Sequence, residues 1–346
     1  MQKYTRMLVT VCSKGIQALL LFILILAPAR AADPMVFPDT MLEEALVYPD
    51  WFEISSGDLR EDLKRALDAG KQGIIVYFGQ KRCAYCQQFM QQDLGSEDIA
   101  NYLRKHFNII PIDIWGIEDL IDTDGKSYSE RELSIHYETN FTPSLIFYNS
   151  KGKAVFGLRG FYPPYKFRAA LEYVTEKFYQ KENFRDYLAR AEPGLFFTEG
   201  GLNERDFFTG PPYDLKRALK TNKPLVVFFE QGNCHACDLL HSGPLNKPET
   251  LEEINNMHAV QLDMWSDTTV IAPDGSRTTA KAWAKELGIF HTPTLLFFSP
   301  SGEEIMRIES IVQFYRLWGV LDFVNKRAYE TESDYQAWRL KQRKIQ

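Results

Sequence analysis

The residues that constrain this chain most are those it uses twice. Asp62-Leu-Lys-Arg-Ala-Leu67 recurs unchanged as Asp214-Leu-Lys-Arg-Ala-Leu219, and each copy is followed by an apolar run, Ile74-Ile-Val-Tyr-Phe78 or Leu225-Val-Val-Phe-Phe229. Each run leads into a cysteine pair, Gln80-Lys-Arg-Cys83-Ala-Tyr-Cys86 or Gln231-Gly-Asn-Cys234-His-Ala-Cys237. Beyond the cysteines the register holds at 150 residues: Asp113/Asp263, Trp115/Trp265, Asp124-Gly125/Asp274-Gly275, Thr142-Pro143/Thr292-Pro293 and Gly152/Gly302. Solenoid repeats run about 20–50 residues and need several copies, so two long copies mean a duplicated domain. The junction falls in Glu192-Pro-Gly-Leu-Phe-Phe-Thr-Glu-Gly-Gly201, where Pro and paired Gly punctuate the chain.

Within each copy, periodicity predicts a helix (59–69 in the first), then a continuous apolar strand of the kind buried on both faces. The cysteine pair opens a second helix, over 87–94 or 238–245. A buried strand (108–114, 259–264) and a helix (129–137, 279–287) lead to Thr-Pro. A hairpin (144–148 with 154–157, 294–298 with 304–308) and a closing helix (164–178, 313–326) complete the order βαβ then ββα. The expected class is α/β, with a central mixed sheet flanked by helices in each of two tandem domains, 45–193 and 210–340, joined by a linker over 194–209.

The N-terminus carries Lys3, Arg6 and Lys14, an apolar run from Ile16 to Ala27, and Ala29-Arg30-Ala31. The run is shorter than the ~20 residues of a spanning helix, and Pro28 with small residues closes it. Residues 1–31 therefore read as a cleaved secretory signal peptide, with an uncleaved membrane anchor as the alternative. Cys12 precedes the run and leaves with it. Nothing else in the chain is apolar enough over a sufficient length to span a membrane. Cleavage removes four cations and no acid, moving the formal charge from −6 to −10. An acidic mature chain argues against nucleic acid or anionic lipid as a partner. The expected location is periplasmic or otherwise exported, where four remaining cysteines in two CxxC pairs meet a disulfide-permissive environment.

A cysteine attacks a disulfide as thiolate, so a reactive one needs stabilised negative charge and an exposed sulfur. A strand-to-helix junction supplies unpaired N–H groups and the positive end of a helix dipole. Cys83 and Cys234 are the expected nucleophiles, and Cys86 and Cys237, one turn further in, the expected resolving thiols. Lys81 and Arg82 before Cys83, and His235 after Cys234, are placed to lower the nucleophile pKa further. His241 and His291 read as solvated or satisfied, with lining of a substrate groove as an alternative for His291. Trp115 and Trp265 read as core packing or as caps of the active-site face.

Strand, CxxC, helix, distal Thr-Pro, hairpin and closing helix together resemble the thioredoxin superfamily over about residues 58–190, and again, more weakly, over about 210–330. In the first copy Asp113-Ile-Trp-Gly116, Asp124-Gly125 and the segment Gly160-Phe-Tyr-Pro-Pro-Tyr-Lys-Phe-Arg-Ala-Ala-Leu171 resemble the SoxW-type periplasmic thioredoxins. The resemblance implies thiol-disulfide oxidoreductase activity on protein thiols and disulfides, with the cysteine pairs as redox centres and no separate cofactor. It implies a cis peptide before Pro143 and Pro293, placing Thr142 and Thr292 where a substrate strand pairs with their backbone. A membrane electron donor and sulfur-oxidation proteins are the implied partners. The chain departs from the family at the CxxC interiors, at the missing tryptophan before each first cysteine, and at Tyr77 and Phe228, where many members carry a buried acid. Proton removal from the resolving cysteines then needs another group or water.

Competing readings are a zinc site, disfavoured because the two pairs lie 148 positions apart; copper handling by soft thiolates, without a surrounding His or Met cluster; and two structural disulfides, which leave the matched Thr-Pro unexplained. A non-catalytic thioredoxin-fold binding or chaperone module remains the alternative in another functional class.

Overall fold

The computed structural model describes residues 33–192, 194, 200–332 and 334–343, so the expected signal segment and residues 195–199 of the expected linker lie outside it. Both copies lie in one compact unit, Phe37–Gln346.

The first copy opens with α1 (Leu59–Asp68). Asp58 caps it by accepting the Arg60 N–H, acids fill the first turn, and Leu59, Leu63 and Ala66 form the buried stripe. Next come β1 (Gly73–Gly79), α2 (Ala84–Gln88), α3 (Glu97–His106), β2 (Phe107–Asp113), the short β3 (Asp119–Ile121) and β4 (Ser127–Ser129), α4 (Glu130–His136), β5 (Ser144–Asn149), β6 (Ala154–Arg159), α5 (Pro164–Thr175) and α6 (Phe184–Ala191). The sheet order is β2-β1-β5-β6. β1 runs parallel to β2 and antiparallel to β5, which pairs antiparallel with β6. All seven residues of β1 are buried, as expected of a central strand covered on both faces.

The second copy repeats this as β7 (Tyr213–Asp214), α7 (Leu215–Ala218), β8 (Leu225–Glu230), α8 (His235–Ser242), α9 (Pro248–Asn255), β9 (His258–Asp263), β10 (Thr269–Ile271), β11 (Arg277–Thr279), α10 (Ala280–Glu286), β12 (Thr294–Phe298), β13 (Glu304–Ile308), α11 (Phe314–Asn325) and α12 (Tyr335–Arg343). Its main sheet is ordered β9-β8-β12-β13 with the same strand directions. The chain is α/β, with two mixed sheets flanked by helices.

Three local features go beyond the sequence reading. The Asp-Gly turns sit between short paired strands, β3/β4 and β10/β11, and Gly125 and Gly275 supply the positive φ (84° and 95°) the turns require. The helix after the first cysteine pair begins at Ala84 and passes into a π-helical turn over Phe89–Asp93. Finally, α6 and α12 extend each copy beyond its closing helix and pack on the opposite copy: Phe184 lies against Phe290, and Tyr335 against Phe141. Phe141 thereby joins the core cluster of the second domain, beside Phe323 and Trp338.

Candidate functional site

Each cysteine pair is held where a buried strand hands over to a helix. Cys83 is the N-cap of α2 and Cys234 that of α8, and their sulfurs accept the N–H of Cys86 and Cys237 at 2.9 and 3.1 Å. The pairs are disulfide-bonded, with Cα separations of 5.1 and 5.2 Å. Cys83 Sγ lies 3.2 Å from Thr142 Oγ1 and 3.9 Å from Thr142 O; Cys234 Sγ lies 3.5 Å from Thr292 Oγ1. The Thr142–Pro143 and Thr292–Pro293 peptides are cis. All four cysteines, both threonines and both prolines of the sequence reading thus meet in two matching constellations.

Gln80 and Gln231, three residues before each first cysteine, brace them. Trp115 Nε1 donates to Gln80 Oε1 at 2.9 Å, and Gln80 Nε2 donates to Thr142 Oγ1 at 2.9 Å. Trp265 Nε1 makes the matching bond to Gln231 Oε1 at 2.8 Å. The tryptophans therefore act through their N–H groups as well as their packing. The signal for this was in the sequence, as Gln and Trp recur in both copies.

The expected exposure of the nucleophiles is corrected. Cys83 is 3% exposed and Cys234 8%. Over the first site runs the segment beginning at Phe37: Leu42 and Leu46 N–H donate to the carbonyls of Arg82 and Lys81. Lys81 and Arg82 are exposed, and the Arg82 guanidinium donates to Glu43 O. His235 is exposed beside Cys234. His241 and His291 are both buried, with Nε2 of His241 2.9 Å from Glu230 Oε1 and Nδ1 of His291 2.7 Å from Lys166 Nζ.

Glu230 escaped the sequence reading. It is fully buried at the end of β8, four residues before Cys234, and also accepts from Gln261 at 3.0 Å. Its partner His241 lies one helical turn beyond Cys237. Position 228, two residues earlier on the same strand face, is the one where the acid is missing. The first copy has Gly79 in place of Glu230. There the Tyr77 hydroxyl and the Asp93 carboxyl are buried without a hydrogen-bond partner among the described residues, and burial holds the Asp93 pKa well above the carboxylate range.

Both sites lie against the boundary between the domains, and contacts across it join counterpart residues. Ile311 N–H donates to Phe161 O at 3.0 Å, and these two residues are counterparts 150 positions apart. A Cβ on Gly160 would lie 1.9 Å from Oγ of Ser310, its own counterpart. Arg316 Nη2 of the second domain donates to Thr142 O at 2.8 Å, while Lys166 Nζ of the first reaches Phe290 O at 3.3 Å. Arg185 donates to Ile289 O, and Gln336 to Thr139 O. A patch whose residues meet their own counterparts has the pattern of an isologous twofold contact, here within one chain.

Residues 59–175 and 211–325 each match the family model described as a thioredoxin-like domain. The comparison with curated protein sequences gave no match. Similar solved structures include a thioredoxin-fold protein from Helicobacter pylori, 23% identical over 36% of this chain and 85% of that one, with a TM-score of 0.31. A thioredoxin from Thermus thermophilus is 22% identical over 43% of this chain and 99% of its own, at 0.30. The oxidised C-terminal domain of Neisseria meningitidis DsbD is 22% identical over 32% and 89%, at 0.26. With both of its copies matched, the chain belongs to the thioredoxin-like domain family.

Proposed function

We propose that this chain is an exported thiol-disulfide oxidoreductase that reduces or isomerises protein disulfides through two CxxC sites. The observation that carries the reading is the duplicated placement of a helix-capping cysteine sulfur against the threonine before a cis proline. In the reduced chain the Cys83 or Cys234 thiolate attacks one sulfur of a substrate disulfide. A mixed disulfide forms, and the other substrate sulfur leaves as thiolate. Cys86 or Cys237 loses its proton and attacks the enzyme sulfur of that bond, releasing the second substrate thiolate. Two electrons have then moved to the substrate, and the CxxC is a disulfide. In the second domain the buried Glu230–His241 pair is the proposed proton acceptor for Cys237.

The Ile16–Ala27 run followed by Ala29-Arg30-Ala31 supports export, and the Asp113–Gly116 and Gly160–Leu171 segments support a SoxW-like role, with a membrane electron donor and sulfur-oxidation proteins as partners. The test is the reduction potential of each pair against a glutathione buffer, in chains carrying Cys83→Ser/Cys86→Ser or Cys234→Ser/Cys237→Ser. Values near about −270 mV mean a reductase fed by a donor, and values near about −120 mV an oxidase or isomerase. Pairs that do not cycle reversibly would overturn the enzyme reading.

A further inference from the structure

Resting on that reading, we infer that each domain supplies the other's redox site with a positioning cation: Arg316 of the second domain for Cys83, and Lys166 of the first for Cys234.

Arg316 and Lys166 are counterparts 150 positions apart, each in the first turn of its domain's closing helix. Both are buried, at 8% and 7% exposure. Arg316 donates through Nη2 to Thr142 O, the carbonyl 3.9 Å from Cys83 Sγ, and its Cζ lies 3.3 Å from the Tyr85 ring centroid. Its Nη1 is buried with no hydrogen-bond partner among the described residues. Lys166 contacts His291 and Phe290 O, immediately before Thr292, whose Oγ1 faces Cys234 Sγ.

A buried cation is costly unless an anion compensates it. Among the described residues neither head group forms an ion pair with a carboxylate. Asp39, the nearby acid at the first site, bonds instead to the Tyr85 hydroxyl and to the backbone N–H groups of Tyr315 and Arg316, at 3.0, 3.0 and 2.8 Å. On the second site the titratable groups at Lys166 are His291, in direct contact, and Tyr162, whose ring centroid lies 5.4 Å from that of His291. Desolvation lowers the Lys166 pKa to about 7, so below about that pH the side chain carries its charge without a counter-charge in the disulfide form. Reduction supplies one. A dithiol donor reduces Cys83–Cys86 to two thiols and leaves as a disulfide; Cys83 then loses its proton to solvent, and its thiolate stands at the carbonyl that Arg316 grips. The same step at Cys234–Cys237 compensates Lys166. The contacts differ in detail, yet a buried basic side chain stands at counterpart positions beside both sites, and this points to charge, since Lys and Arg share charge but not shape.

The cation stabilises the reduced form, making each pair more oxidising. Its loss acts on the site opposite in fold and not on the domain that carries it. The experiment uses the full chain with Cys234→Ser/Cys237→Ser, comparing Arg316, Arg316→Met and Arg316→Lys by ultraviolet thiolate absorbance against pH and by glutathione equilibrium. Arg316→Met should raise the Cys83 thiolate pKa by about one unit. At a pH above both thiolate values this is tenfold in the equilibrium constant, or about 30 mV more reducing. Arg316→Lys should restore part of the shift. In the converse chain, carrying Cys83→Ser/Cys86→Ser, Lys166→Met should move the Cys234 pair, and in the Cys234→Ser/Cys237→Ser chain it should leave the Cys83 pair unchanged. Unchanged thiolate pKa and potential in a folded Arg316→Met chain would overturn the inference while leaving the oxidoreductase reading intact. Pairs that fail to cycle even with Arg316 present would instead refute the reading on which it rests.

Discussion

Replacing Lys166 by methionine in the oxidised chain keeps the length of the side chain and removes the buried charge. Desolvation depresses the Lys166 pKa from 10.5 to about 7. Because the folded value lies below the unfolded one, the unfolded chain binds more protons between about pH 7 and 10.5, and stability rises with pH through that window. Below about pH 7 the penalty is present in full. The gap corresponds to about 5 kcal/mol at about 1.4 kcal/mol per pH unit. The bonds to His291 Nδ1 and Phe290 O offset about 1–3 kcal/mol of it. Lys166→Met should therefore raise the unfolding free energy by about 2–4 kcal/mol at pH 6, with the gain gone by about pH 10. Urea unfolding of both chains across this range measures the difference. A difference that stays flat with pH would refute the claim that Lys166 folds as an uncompensated cation.

Asp93 tests burial of the opposite charge. Its pKa is raised in the folded state, so stability falls as pH climbs above the ordinary 3.8, and Asp93→Asn should gain on the parent chain with rising pH, by at most about 1.4 kcal/mol per unit; an equal pH profile for the two chains counts against it. Asp39→Ala should loosen the cover over the first site. Asp39 makes three hydrogen bonds, and a net loss of about 1.4 kcal/mol of cover stability gives about tenfold faster iodoacetamide alkylation of reduced Cys83, with Cys234 unaffected. Phe141→Ala empties a site 3% exposed that lies within the second domain's core cluster, and should cost about 3–5 kcal/mol in chemical denaturation; a cost under about 1 kcal/mol would mean the two domains do not share that core.

The strands, the closing helices and the pairing of each CxxC with its Thr-Pro were legible because each is written in a short stretch: a continuous apolar run, a helical stripe, a turn dipeptide. Duplication strengthened every one of them, since a lone Thr-Pro carries little information. The local code was weaker where flanks differ. Asp-Leu-Lys-Arg-Ala-Leu is identical in both copies, yet Asp62 is a fully buried residue inside α1, accepting from Ser55 and Ser56, whereas Asp214 is the N-cap of the four-residue α7.

Sequence alone determined that this chain makes one redox-type constellation twice, because the residues that build it recur at matching spacing. Only the tertiary structure decided that Cys83 and Cys234 are covered, that Glu230 and His241 form a buried pair, and that Arg316 and Lys166 contact residues beside the site of the opposite domain. Lys166 and His291 are 125 positions apart, and Arg316 and Thr142 174. Such pairs are selected by the shape of a completed interface and by the desolvation it imposes, and no local pattern in the chain encodes either.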